Sequence, residues 1–220
     1  MADVSLRELV DRARLVLFDF DGPVCDVFAG VPAPKVARWL ERHLPSKVDT
    51  DDPLAILQEA AKYGSDMVEA VEDDLIMAEL KAVDKAVATP GGLESITATI
   101  ASGRGAGILS NNSSQAIVRY LKDTGCLIKI TPVMGRKYAR PDLMKPNPYP
   151  FHAALIGTEW DASETLFIGD SLSDIEVAHA VGAPVVGYAN KSGKADTFAS
   201  AGASFVIEDM TEVTAAIVND

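Results

Sequence analysis

Short hydrophobic runs alternate with amphipathic segments along most of the chain. Five runs have the length and composition of buried β-strands, and a sixth strand fits between residues 131 and 136. The five runs are residues 15–18, 106–109, 165–168, 184–188 and 204–207. Helical segments separate most of them, and this alternation predicts βαβ units and a parallel sheet, which is an α/β fold.

Four helices are predicted between these strands, chiefly from the residues at their ends. They lie at residues 90–101, 113–122, 148–156 and 172–181. Thr89 is expected to be the N-cap of the first, with proline at the first helical position. Glycines follow the first two and the last of these segments, as is typical of helix C-termini.

Residues 30–88 interrupt the alternation, because they contain no convincing strand. Apolar residues recur there every three or four positions in three helical patterns. The patterns lie at residues 36–44, 54–61 and 68–82. Their opposite faces are predicted to be acidic and exposed, with Asp51, Asp52, Asp66, Glu69, Glu72, Asp73, Asp74 and Glu79. The pattern predicts a helical insert between the first strand and the rest of the core.

Composition narrows the range of functions. The 220 residues include 20 Lys and Arg against 32 Asp and Glu, a formal net charge of -12. Such a field repels phosphate backbones, so nucleic acid is not expected as a partner, whereas a small anion bound by a local cation is compatible with it. Two cysteines allow no disulfide framework. Without a membrane-length apolar run or a signal-peptide pattern, we expect a cytoplasmic protein that does not bind membranes.

Acidic and hydroxyl side chains follow three predicted strands at their carboxyl ends. Asp19 and Asp21 follow the first, Ser110 the second, and Asp170 and Asp174 the third. Ligands bind outside these ends in open α/β sheets, so the side chains should converge. Two carboxylates about 4 Å apart repel by roughly 4 kcal/mol at an effective dielectric near 20. A divalent cation would relieve this repulsion, and Mg²⁺ is the commonest ion bound by carboxylates together with a substrate phosphate.

Basic residues near the sixth predicted strand add positive charge. Lys145 lies in the loop after this strand. Carboxylates, a metal, a lysine and Ser110 together favour a phosphoryl-transfer site. Arg136, Lys137 and Arg140 form a basic cluster that leads towards Lys145. This cluster either attracts an anionic substrate or belongs to a solvated loop.

Four short segments resemble, in the same order, the motifs of the haloacid dehalogenase superfamily. They are residues 17–22 (LFDFDG), 109–111 (LSN), 145–148 (KPNP) and 169–174 (GDSLSD). The resemblance implies a Rossmann-like α/β core with a parallel sheet and an inserted small α-helical cap domain. It also implies a magnesium-dependent phosphatase that hydrolyses a small phosphorylated metabolite through an aspartyl phosphate. The similar branch is that of phosphoglycolate phosphatase and beta-phosphoglucomutase.

The resemblance implies a domain division and catalytic roles. The core would comprise residues 1–29 and 89–220, and the cap residues 30–88. Asp19 would be the nucleophile, and Asp21 the general acid and base. Dehalogenases and phosphonate hydrolases of similar fold lack an Asp two residues after the nucleophile, so the presence of Asp21 favours the phosphatase and mutase branches. The phosphoryl oxygens would be bound by Ser110, Asn111 and Lys145.

The same resemblance implies a metal site. Asp19, the backbone carbonyl of Asp21 and Asp170 would bind Mg²⁺, and Asp174 would orient the site or a water on the metal. Pro23 departs from the pattern, because the family usually has threonine after Asp-Gly, and a hydroxyl that would support the loop is missing. A phosphomutase of the same superfamily would use the same residues, and a non-enzymatic module that binds a phosphorylated ligand is the third alternative.

Overall fold

The computed structural model describes residues 4–126 and 129–218 and contains one six-stranded parallel sheet. Its strands are β1 (Leu15–Phe18), β4 (Gly105–Ser113), β5 (Val133–Arg136), β6 (Thr165–Gly169), β7 (Val185–Tyr188) and β8 (Phe205–Ile207). They lie in the order β5-β4-β1-β6-β7-β8. All six predicted strands are therefore confirmed, and so is the parallel α/β fold.

The helices flank the sheet or belong to the insert. They are α1 (Leu6–Arg12), α2 (Ala33–Leu40), α3 (Pro53–Ala60), α4 (Ser65–Val83), α5 (Gly92–Ala101), α6 (Ser114–Asp123), α7 (Tyr149–Leu155), α8 (Leu172–Val181), α9 (Lys194–Ser200) and α10 (Thr211–Val218). Within the described ranges, no helix has both the length and the apolar character that crossing a bilayer requires.

The central strand β1 is buried on both faces. Val16 and Phe18 pack in a core with residues of α1, α5, α6 and α10, whereas Leu15 and Leu17 pack in a second core under α7, α8 and α9. Successive side chains of a strand point to opposite faces, and helices cover both faces of this sheet. This double burial explains why the strand is a continuous hydrophobic run and not an alternating one.

The order in which the chain adds strands to the sheet reverses at β1, and a ligand site is expected at this point. Phe18 is in register with Ile108 of β4 on one side and with Ile168 of β6 on the other. The chain therefore continues to one side of β1 and later returns to the other. In open α/β sheets a ligand crevice forms at the carboxyl ends of strands where such a reversal occurs.

The insert after β1 is helical, as predicted. Helices α2, α3 and α4 surround a separate hydrophobic cluster that includes Leu40, Leu57 and Leu75. The expectation that residues 30–88 contain no strand is wrong in one place, because β3 (Val87–Ala88) pairs antiparallel with β2 (Cys25–Asp26). This two-stranded ribbon joins the chain segments that enter and leave the insert.

Two local predictions need correction. Strand β4 continues to Ser113, so Ser110 lies within the strand and not after its end; the pairing with β5 is irregular between Leu109 and Ser113, which bends the strand there. Helix α5 begins at Gly92 after a left-handed Gly91, so Thr89 is not its N-cap. The Thr89 hydroxyl instead donates to a carbonyl in the loop after β1.

Candidate active site

The loop after β1 places Asp19 at the floor of a cavity. The amide of Asp19 donates to the carbonyl of Ile168 (2.8 Å), which continues the sheet by one residue. Its Oδ1 accepts from the amide of Phe20 (2.7 Å). Gly22 has a φ of 106°, and a Cβ atom there would lie 2.5 Å from Cγ of Asp170. Only glycine therefore allows this loop to approach Asp170.

Asp21 and Pro23 lie in the same loop. The carboxylate of Asp21 accepts from the amide of Val27 (2.9 Å), which orients it towards the cavity that it lines. Pro23 is buried and offers no hydroxyl, but the Thr89 hydroxyl donates to the carbonyl of Gly22 at 2.5 Å. A hydroxyl from the residue that follows the insert thus donates a hydrogen bond to the loop that contains Pro23.

Ser110 is connected to the insert through two side chains. Its hydroxyl donates to Oδ1 of Asn112 (3.0 Å), and Nδ2 of Asn112 donates to Oε1 of Glu79 on α4 (3.2 Å). The other carboxylate oxygen of Glu79 accepts from the amide of Ser113 (3.0 Å). Neither Asn112 nor Glu79 was singled out as a site residue from the sequence.

Lys145 is the buried cation of the site. Its Nζ lies 2.6 Å from Oδ1 of Asp174, 3.1 Å from Oδ1 of Asp19 and 3.2 Å from the carbonyl of Leu109. The side-chain amide of Asn111 contacts the backbone of Lys145 twice, because its oxygen accepts from the Lys145 amide (2.8 Å) and its nitrogen donates to the carbonyl (3.1 Å). Asn111 therefore uses its side chain to hold the Lys145 loop.

Asp170 and Asp174 follow β6 on opposite sides of a helix start. Oδ2 of Asp174 accepts from the amide (2.9 Å) and the hydroxyl (2.7 Å) of Ser171, the N-cap of α8. Asp174 thus caps the helix with one oxygen and contacts Lys145 with the other. Oδ2 of Asp170 contacts Nζ of Lys194 (2.8 Å) and Nδ2 of Asn190 (2.9 Å).

The site contains more negative charge than its lysine balances. Asp19, Asp170 and Asp174 each offer an oxygen within 4.8 Å of the others. Burial raises the pKa of Asp19 to about 7 even though Lys145 lowers it, and Asp174 and Asp170 raise it further. Burial would lower the pKa of Lys145, but Asp174 and Asp19 raise it overall. A group of hard oxygen donors with uncompensated charge fits Mg²⁺.

The predicted site residues converge on one cavity of about 500 Å³. Six of them line it: Asp19, Asp21, Ser110, Asn111, Lys145 and Asp170. Asp174 is fully buried next to Lys145. Residues of the insert, among them Leu54, Leu75 and Glu79, form another part of the wall. The cavity therefore lies between the carboxyl edge of the sheet and the insert. Burial also raises the pKa of Asp21 to about 7.

Arg136 neither lines the cavity nor belongs to a solvated loop, the two alternatives that the sequence left open. Its Nε lies 2.8 Å from Oε1 of Glu72 and its Nη1 lies 2.6 Å from Oε1 of Glu79, with each of these side chains 1% exposed. Nη1 also donates to the carbonyl of Asn111 (3.1 Å). The expectation that Glu72 and Glu79 belong to an exposed acidic face is wrong, because these two acids bind an arginine at the junction of α4 and the sheet.

Comparison with known proteins gives a family and a fold. The model of the haloacid dehalogenase-like hydrolase family matches residues 16–188. No curated protein matches the sequence. The structure resembles that of a predicted phosphatase from Clostridium acetobutylicum, with a TM-score of 0.76 and 16% identity over 94% of this chain and 99% of that chain.

Two further solved structures show the same architecture. A predicted phosphoglycolate phosphatase from Haemophilus somnus 129pt has a TM-score of 0.71 and 17% identity, over 92% of this chain and 96% of that chain. A HAD phosphatase from Thermococcus onnurineus has a TM-score of 0.65 and 21% identity, over 94% of this chain and 99% of that chain. At these identities the structural likeness establishes the fold.

Proposed function

Because the chain belongs to the haloacid dehalogenase-like hydrolase family, we propose that it is a magnesium-dependent phosphatase acting on a small phosphate monoester through an aspartyl phosphate at Asp19. The observation that carries this proposal is the convergence of Asp19, Asp21, Ser110 and Lys145 on one cavity, with Asp170 beside them. A carboxylate nucleophile, an acid, a hydroxyl and a buried cation are the groups that phosphoryl transfer needs.

Asp19 and Asp21 are assigned the bond-making steps. The Asp19 carboxylate attacks phosphorus, and the ester oxygen leaves with a proton from Asp21. Water then attacks the phosphorus of the aspartyl phosphate and gives a proton to Asp21, which releases phosphate and regenerates Asp19. A general acid works best when its pKa lies near the working pH, and burial raises the pKa of Asp21 to about 7.

Ser110 and Lys145 are assigned to the phosphoryl oxygens. The carboxylates around Lys145 keep it protonated by raising its pKa, so it offers a positive charge at the floor of the cavity. Asn111 is assigned a positioning role, since both atoms of its side-chain amide bind the backbone of Lys145. Asp174 is assigned to orient Lys145 through the ion pair between Oδ1 and Nζ.

Asp19, Asp170 and the backbone carbonyl of Asp21 are assigned to Mg²⁺. When bound, the ion would neutralise the carboxylates and polarise the phosphoryl group. Lys194 and Asn190 contact Oδ2 of Asp170, which leaves Oδ1 for the metal. The donor chemistry of this group supports magnesium, and chelation tests it.

We assign residues 30–88 as a cap and residues 1–29 with 89–220 as the catalytic core. Support comes from the separate hydrophobic cluster of α2, α3 and α4 and from the insert residues that line the cavity. A cap over the site excludes bulk water while the aspartyl phosphate exists, so that hydrolysis uses a positioned water.

The test of this function is phosphate release from a panel of small phosphate esters. Wild type is assayed with Mg²⁺ and then with a chelator, beside Asp19→Asn, which keeps the shape of the side chain and removes its charge. We expect magnesium-dependent release that the variant lacks. Isomerised sugar phosphate without free phosphate would instead indicate a phosphomutase, and tight ester binding without either product a non-enzymatic module.

A further inference from the structure

The charged residues that line the cavity are unevenly divided between its two sides. Among the lining residues in the described ranges, Lys145 is the one cation, and it lies on the sheet side between Asp19 and Asp174. The insert side contributes Asp51, Asp52 and Glu79. A substrate with its phosphate at Lys145 therefore directs its alcohol portion towards carboxylates.

The three carboxylates on the insert side differ in whether a cation lies next to them. Glu79 is paired with Arg136 at 2.6 Å but shares this cation with Glu72, so its charge is partly neutralised. Asp51 and Asp52 are exposed, and neither forms an ion pair with another residue of the described chain. Asp52 also accepts from the amide of Leu54 (2.9 Å), which fixes it at the start of α3. Two uncompensated charges thus remain at this end of the cavity.

Three basic residues near the site are already bound to carboxylates, and a fourth, Lys137, lies outside the cavity lining with its Nζ 5.2 Å from the ring centroid of Tyr149. Arg136 is held by its two glutamates, and Lys194 contacts Asp170 at 2.8 Å. Arg140 contacts Asp142 at 2.6 Å. A second anionic group on the substrate would consequently meet carboxylates without a cation to bind it. This arrangement selects against a substrate with two separate anionic groups.

We propose that the substrate is a phosphate monoester of a small alcohol that bears no second negative charge, and that a cationic amine on this alcohol is preferred. The inference rests on the proposed phosphatase function and adds the substrate class. Like charges repel and opposite charges attract across the cavity, with a strength that falls as salt rises. Phosphoglycolate, with its carboxylate, and sugar bisphosphates are excluded as good substrates.

The test uses three esters of nearly equal size that differ in the charge of the distal group. They are 2-aminoethyl phosphate, 2-hydroxyethyl phosphate and phosphoglycolate, whose distal groups are positive, neutral and negative. We expect kcat/KM to fall in that order, with differences that shrink as ionic strength rises. Equal rates for the three esters, or the highest rate for phosphoglycolate, would overturn the proposal.

Variants that remove one carboxylate charge test whether Asp51 and Asp52 cause the preference for a cationic distal group. Asp51→Asn and Asp52→Asn each remove one charge, and asparagine keeps the ability to cap α3. For each variant we expect kcat/KM to fall roughly two- to fivefold for the amine and to rise by a similar factor for the carboxylate, the size typical of an exposed charge pair. The neutral ester should change less than either charged ester. Asp49→Asn, an exposed acid outside the cavity lining, is the matched control and should change none of the three ratios.

Binding separates this inference from the phosphatase proposal. If no ester releases phosphate, the proposed function fails, but the three esters still compete for the cavity. Calorimetric titration of Asp19→Asn with each ester should then give the same order of affinity. When Asp51→Asn and Asp52→Asn are added to this variant, the three affinities should become similar. An affinity that is independent of the distal charge would contradict the inference by itself.

Discussion

Two buried charge clusters lie on either side of Ser110, and in each of them two carboxylates share one cation. In the junction cluster, Arg136 contacts Glu72 and Glu79 at 2.8 and 2.6 Å. In the catalytic cluster, Lys145 contacts Asp19 and Asp174 at 3.1 and 2.6 Å. The charge ratio is the same, but the surroundings are different.

The difference lies in what each cluster faces. The junction cluster is almost fully buried, with its side chains 1% exposed although Glu79 forms part of the cavity wall. Its planar guanidinium directs separate nitrogens at the two glutamates. The catalytic cluster opens through Asp19 into the cavity and has Asp170 as an additional carboxylate nearby. The comparison teaches that a charge cluster buried at the junction of two parts of the molecule serves the fold, whereas one that opens through its carboxylates into a cavity serves a ligand. Substitutions should therefore separate stability from activity.

Arg136→Met should have the largest effect, and it should be on stability. It leaves Glu72 and Glu79 buried without a cation, and breaking a buried ion pair typically costs about 3–5 kcal/mol. We expect the free energy of unfolding, measured by urea denaturation, to fall by roughly this amount. Arg119→Met is the matched control, since Arg119 forms an exposed pair with Asp84 (2.7 Å) and such pairs contribute about 0–1 kcal/mol. Equal losses in the two variants would remove the distinction between the clusters.

Lys145→Met should act mainly on activity. Loss of a positioned charge at a phosphoryl group typically lowers kcat by about 10²–10³-fold, and we expect a decrease of this size. The free energy of unfolding should fall less than in Arg136→Met, because water and Mg²⁺ can reach Asp19 through the cavity and Asp174 keeps two hydrogen bonds from Ser171. Lys62→Met, which removes a lysine exposed on the insert, is the control for both measurements. An unfolding loss as large as that of Arg136→Met, with little change in kcat, would reverse the comparison.

Asn112→Ala tests whether the two clusters are connected through Ser110. The Asn112 side chain accepts from the Ser110 hydroxyl and donates to Glu79, so its loss should let the hydroxyl rotate away. A net hydrogen bond is worth about 0.5–1.5 kcal/mol, which corresponds to roughly a two- to tenfold decrease in kcat/KM. In a double-mutant cycle with Ser110→Ala, the second substitution should add little to the first. Additive effects would show that Asn112 does not act through Ser110.

Glu72→Gln should have the smallest effect and a characteristic pH dependence. Burial raises the pKa of Glu72 above its ordinary value of 4.5, although Arg136 lowers it. The folded state therefore holds this proton more tightly than the unfolded state, and stability declines as the pH rises from the unfolded pKa through the folded pKa. Glutamine abolishes this component, so the variant should show a flatter dependence of unfolding free energy on pH above 4.5, the ordinary value. A curve parallel to that of wild type would mean that Glu72 titrates normally.

Elements buried on both faces were predictable from the sequence, as were the polar residues that follow them. β1 and β6 are continuous apolar runs, so Asp19 and Asp170 could be placed at strand ends. The end of helix α8 was predictable because glycine follows its last residue, and Gly182 is left-handed in the structure. Helix α1 was not predicted, since seven residues show too few apolar positions for a period to be evident.

The junction cluster escaped prediction for a different reason. Arg136 is 64 residues from Glu72 and 57 from Glu79, and a pattern within one segment gives no information on such a pairing. A signal did exist, because Glu72 and Glu79 are seven residues apart on α4 and share a face with buried Leu75. Acids within an apolar stripe indicate a buried cation partner, but they do not identify it.

The most direct test of the central claim is to find the phosphoryl group on Asp19. Wild type mixed with Mg²⁺ and the best ester is quenched in acid during turnover, and its peptides are analysed by mass spectrometry. We predict a phosphorylated peptide containing Asp19, absent with chelator and absent from Asp19→Asn. Phosphate release without any modification of Asp19, or at an undiminished rate in Asp19→Asn, would contradict the account.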